Sequence, residues 1–153
     1  AFGDKGDLYL KTLQRYQRKS RTKTIELLAD RPSLRVFLAR FYDGALEIYR
    51  AGGEDARGCY SISTAPAQAT VDPAIREFLD DSIRGPDAFL AGVIGEARER
   101  GEIAASVNPA ALAQIATATL HTIAVRSRVG ASRKQLKALA AAAIDLICGP
   151  GRS

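Results

Sequence analysis

Apolar residues recur along almost the whole chain at steps of three and four, the spacing that gathers side chains on one face of an α-helix. The clearest run is Leu34, Phe37, Leu38, Phe41, Tyr42, Ala45, Ile48 and Tyr49. This stripe is too broad for a narrow helix–helix seam, so the helix is expected to be central. Pro32 is expected near its first turn, where a missing N–H costs little, and Gly52-Gly53 to stop it. A preceding helix is predicted over about 4–29. Tyr9, Leu13, Tyr16, Leu27 and Leu28 form its apolar face, continued by Ser20 and Thr24, while Lys11, Arg15, Arg18 and Lys19 lie on the other side. Arg31-Pro32 ends it, because proline disfavours helical backbone in the residue before it.

The stretch 53–58 reads as a loop. Residues 59–69 read as a short helix or an irregular segment; 59–64 is the one β-rich stretch, and Pro66 argues against an undisturbed helix. Asp72-Pro73 is a cap followed by a first-turn proline, and opens a helix carrying Ile75, Phe78, Leu79 and Ile83. Gly85-Pro86 is expected to break or kink it before Phe89, Leu90, Val93, Ile94 and Ala97 resume the pattern, with Gly101 as the stop. Asn108-Pro109 repeats the start signal ahead of a helix rich in small residues, which Gly130 ends. Ser132-Arg133-Lys134-Gln135 is a capping box for the last helix, which stops at Gly149-Pro150. These last two helices are apolar or small on more than one face and so need cover on two sides. A second copy of the same pair would supply it as a symmetric four-helix interface. Leu120, Ala124, Leu136, Leu139, Ala143 and Leu146 are its candidate residues.

The fold class is therefore all-α, with about six helices. The 153 residues suffice for one core, and no apolar run approaches the ~18 residues of a membrane span. Cys59 and Cys148 have no Cys or His at metal spacing, which argues against a structural zinc site and leaves two small buried side chains as the plain reading. No metal or other cofactor is expected. Charge changes the picture at one place. Between Lys5 and Lys23 stand seven cations (Lys5, Lys11, Arg15, Arg18, Lys19, Arg21, Lys23) and one acid, Asp7, a net of +6 in a chain whose total is +5. A solvated helix face is the plain reading of such a run; a surface approaching a phosphate backbone is the functional one.

The opening residues carry a resemblance. Phe2-Gly3-Asp4-Lys5, followed by Leu8-Tyr9, resembles the turn that joins the helix-turn-helix head to the regulatory body in tetracycline-repressor-like (TetR family) regulators. Arg57-Gly58-Cys59 is similar to a Gly-Cys segment at that family's sixth helix, and residues 120–132 are similar to the end of its eighth. Thr122 departs from the usual Gly there, and Pro66 is unexpected in the sixth helix. The chain contains no Met, and on this resemblance residues 1–5 read as the remnant of a head preceding Ala1, with 6–150 as a ligand-binding and dimerisation body. Base readout would belong to the head.

The resemblance implies a cytoplasmic, homodimeric regulator of transcription, most simply a repressor that a small apolar or aromatic effector releases from its DNA operator. It places Lys5 near the DNA backbone, where a lysine beside helix N-terminal amides suits a phosphate. It also implies a cavity in the body, for which Tyr16, Phe37, Phe41, Tyr60, Phe78, Phe89 and His121 are the candidate walls. Aromatics at helical spacing are also what an ordinary core looks like, and a single histidine is more often a satisfied interior group than a ligand contact. A helical dimerisation or adaptor module without an effector is the alternative. An enzyme is disfavoured: His121 has no carboxylate or nucleophile in register, and no Gly-rich phosphate loop follows a strand.

Overall fold

A computed structural model describes residues 5–50 and 58–149. It contains six helices: α1 (Lys5–Glu26), α2 (Leu34–Tyr49), α3 (Tyr60–Gln68), α4 (Pro73–Glu99), α5 (Pro109–Arg128) and α6 (Arg133–Cys148). No strand occurs among the described residues. The opening turn before Lys5, Gly52-Gly53 and Pro150 lie outside them.

Start signals act as their chemistry requires. Asp72 accepts from the amides of Ala74 and Ile75, and Asn108 from those of Ala110 and Ala111, each ahead of a first-turn proline. Ser132 and Gln135 form the expected reciprocal capping box. Ser132→Ala should remove about 1 kcal/mol of stability, read as a lower urea midpoint at unchanged slope. At α2 the cap is Ser33, whose Oγ accepts from Val36 N, so Pro32 precedes the helix instead of lying in its first turn. Glu102 adds a second acceptor there: its Oε2 takes the Leu34 amide at 2.5 Å, joining the α2 start to the loop after α4. α1 unwinds over 27–30 through i→i+3 bonds and ends where Arg31, ahead of Pro32, takes φ +46.

Of the two readings of 59–69 the short helix holds: it is α3, whose nine residues do not stop at Pro66. Pro66 forfeits the bond its N–H would make to the Ile62 carbonyl, but its ring is exposed, and the contacts of α3 with α1, α4 and α5 outweigh that loss. Nor does Gly85-Pro86 break its helix; α4 is continuous for 27 residues. Glycine before the proline removes the Cβ that would clash with the ring, and the packed flanks of α4 carry the lost hydrogen bond.

Two apolar clusters result. The larger joins α2, the second half of α4, α5 and α6 around Phe37, Leu38, Leu90, Ile94, Ala113 and Ile123, all fully buried. The smaller joins Leu13 of α1, Ala65 and Ala69 near α3, and Ile75 and Phe78 of α4. α5 touches α2, α3, α4 and α6. Along α2 and α6, ion pairs Arg35–Asp145, Lys137–Asp43 and Arg133–Glu47 fix an antiparallel register, though such exposed pairs contribute little stability individually.

Candidate functional site

The seven candidate wall residues separate into three groups. Phe37 and Phe41 stack at 6.0 Å, and Phe89 meets Phe37 at 6.2 Å, so these three belong to the larger core. Phe78 belongs to the smaller one. Tyr16 and Tyr60 lie between α1 and α3, where the Tyr60 ring meets Tyr16 edge-on at 6.0 Å and Tyr9 at 6.2 Å. The Tyr9 hydroxyl donates to Thr64 Oγ1 at 2.6 Å, which in turn donates to the Tyr60 carbonyl. His121 stands apart, in an open groove of ≈ 410 Å³ that it lines with Thr122, Val125 and Arg126.

The tyrosine group extends further than sequence patterning suggested. Burial raises the Tyr16 hydroxyl well above its ordinary value of 10, and the adjoining Cys59 thiol pushes it the same way. Tyr49, 5% exposed at the end of α2, is raised by burial and then by Cys59 and Tyr16. Tyr60 is raised by burial and by Tyr9. These hydroxyls are therefore neutral at physiological pH, and the seam offers aromatic faces with uncharged polar tips. Tyr49 reads in the sequence as one more apolar position of α2, and only the fold brings it to Cys59. Elsewhere in the core Tyr42 is pushed up to about 12 by burial, and donates to the Ala116 carbonyl at 3.0 Å. Buried and without hydrogen-bond partners among the described residues are Thr117 Oγ1, Ser127 Oγ and Asp87 Oδ1.

Burial lowers the His121 pKa from its ordinary 6.5, while Asp87 opposes the shift. A base whose folded pKa lies below its unfolded value is more protonated in the unfolded chain. Its contribution is then fully present above the unfolded pKa and is lost as pH falls through the folded one. Urea midpoints at about pH 7.5 and about pH 5 should show lower stability at the acid value, and His121→Gln should shrink that difference.

The candidate interface residues also divide. Ala124, Leu136 and Ala143 are 0%, 1% and 8% exposed and face the chain's own core. Leu120 and Leu139 are half-buried against that core, whereas Leu146 is 68% exposed. What α5 leaves outward is a different stripe: Ala111, Ile115, Ala118, Thr122, Val125 and Val129, all exposed, at alternating steps of four and three. That spacing is the seam period of packed helices. It was legible in the sequence, but small residues on all sides of α5 hid which face was outward. Ala138, Ala142 and Leu146 are left outward on α6.

Lys5 is exposed in the first turn of α1. The other six cations up to Lys23 are exposed as well, and Lys11 pairs with Asp7 at 2.8 Å.

A family model described as the tetracyclin repressor-like C-terminal domain matches residues 34–143, from the start of α2 into α6. The chain belongs to that family. No curated protein and no solved structure matches it. In this family's terms α2 to α6 are helices of a regulatory body, and α1, with its basic face, lies ahead of the matched region. No helix of the described residues is long and apolar enough to cross a membrane.

Proposed function

We propose that this domain is the effector-binding and dimerising body of a cytoplasmic DNA-binding regulator of transcription, and that the regulator is a repressor. The observation that carries the reading is the family match across α2 to α6, joined to an exposed 4–3 stripe on α5 suited to a second copy. The effector is a small, uncharged, apolar or aromatic molecule, held at the tyrosine seam of Tyr16, Tyr49 and Tyr60 beside Cys59. This narrows the walls suggested by patterning, because Phe37, Phe41, Phe78 and Phe89 are already engaged in core contacts. Seam residues come from α1 and from the segments ending α2 and opening α3. A ligand wedged there changes how α1 leaves the body, and with it the spacing of two DNA-reading heads. Lys5, at the first turn of α1, is the body's contact with a backbone phosphate.

The test is binding of the full gene product to DNA from just upstream of its own gene, against a scrambled duplex, at two salt concentrations. Saturable preference for the upstream DNA, relieved by an aromatic effector and weakened by Tyr16→Ala for that effector only, is the expected result. No preference at either salt would favour the adaptor reading instead.

A further inference from the structure

We propose that the outer face of α1, centred on Arg15, Arg18 and Lys19, is a second nucleic-acid contact, holding duplex phosphates independently of any base-reading head. The inference rests on the DNA-binding reading above and deepens it, since Lys5 alone would make α1 only the start of the body.

At 3.6 residues per turn, Lys11, Arg15, Arg18 and Lys19 fall within an arc of about 100°, with the helix face of Tyr9, Leu13 and Tyr16 on the opposite side. That opposite face is the one α1 buries, against α3 and α4. The cations therefore point away from the body. Arg15, Arg18 and Lys19 are exposed and make no ion pair among the described residues. Lys11 to Lys19 spans roughly 12 Å along the axis at 1.5 Å per residue. Duplex DNA presents one charge per ~1.7 Å of its axis, so a rod of this length lies against several phosphates at once.

Three other occupants fit less well. A solvated face would be expected to interleave acids, but from Lys5 to Ile25 Asp7 is the only one. A protein partner needs an apolar centre to its interface, and the large exposed apolar residues of α1, Leu8 and Ile25, stand near its two ends with none between. A membrane surface needs an apolar face beside the cations, and the apolar face of α1 is already buried in the fold. Phosphate requires only the charge and the guanidinium geometry present here.

The 153-residue chain itself provides the test, because any binding it shows must come from its own surface. Its affinity for a random-sequence duplex should fall linearly on a log–log plot against salt. Arg15→Ala/Arg18→Ala/Lys19→Ala should reduce the slope by up to about 2.7 and weaken binding about tenfold or more at low salt, with an unchanged melting temperature. Arg133→Ala/Lys134→Ala/Lys137→Ala removes the same charge from α6 and should leave most of the slope in place. An unchanged slope in the α1 variant, or an equal loss in the α6 variant, would overturn the inference. So would poly-glutamate that displaces the bound duplex as well as unlabelled duplex does at matched charge. None of these results depends on operator preference by the full gene product, so failure here and failure of the regulator reading are separable.

Discussion

Replacing Gly58 with alanine should lower the melting temperature by on the order of 10 °C. Gly58 is buried at φ +63, and a Cβ there would lie 2.5 Å from the Ala124 carbonyl oxygen and 3.3 Å from Arg128 Cβ. Left-handed backbone costs a non-glycine residue about 1–2 kcal/mol. Relieving the contact must also move backbone, since the obstruction is a main-chain oxygen of α5, and overpacking of this kind costs a further ~1–3 kcal/mol. About 3 kcal/mol in a domain of this size corresponds to roughly 10 °C. Gly101→Ala and Gly130→Ala are the controls. Both sites have positive φ, +74 and +89, but nothing within 4 Å of the added Cβ. They should show only the smaller conformational cost, and equal losses at all three positions would mean that the approach to α5 contributes nothing. The same variant bears on function, because Gly58 fixes where Cys59 and Tyr60 enter the tyrosine seam. Its effector affinity should fall even at temperatures where the fold is intact.

The second large effect is expected on assembly. Val125 lies on the outer stripe of α5 and is 52% exposed in the single chain. Val125→Glu should therefore change the stability of the monomer by no more than about 0.5 kcal/mol. In a two-fold interface the substitution occurs twice, and each carboxylate would be buried against the apolar stripe of the partner. Unpaired buried charge costs several kcal/mol, so the dimer dissociation constant should rise by about a hundredfold or more. Sedimentation velocity reads this directly as a shift to the monomer mass. Val71→Glu is the comparison: Val71 is 78% exposed in the turn before α4 and should leave assembly untouched. A dimer that survives Val125→Glu would place the interface elsewhere on the molecule.

Helix positions were readable because their signals are local. Asp72-Pro73, Asn108-Pro109 and Ser132 with Gln135 satisfy backbone amides within a few residues, and each begins a helix in the structure. Gly101 and Gly130 likewise mark the ends of α4 and α5 with positive φ. Local signals left the outcome open where packing decided it. For 59–69 they allowed a short helix or an irregular segment, and contacts with α1, α4 and α5 select the helix. Gly85-Pro86 has the composition of a break, yet α4 has enough buried surface on either side to stay one continuous helix.

The candidate site followed the same division. Aromatic and small residues could be counted in the sequence, but periodicity gives only the face of a helix on which a residue lies. It cannot say whether that face meets the chain's own core, a ligand or a second copy. Thus Phe41 and Phe89 both proved to be neighbours of Phe37, and Tyr49 joined Tyr16 and Cys59 across separate elements. Ala124 turned inward against Gly58 while Val125, its neighbour, turned outward. By itself the sequence determined the all-helical class, the order of the helices, most of their caps and the basic face of α1, all consequences of short-range hydrogen bonding and spacing. The tertiary structure alone decided which apolar stripes were consumed by the two clusters and which stayed outward, because burial is set by the mutual orientation of whole helices and no single helix encodes it.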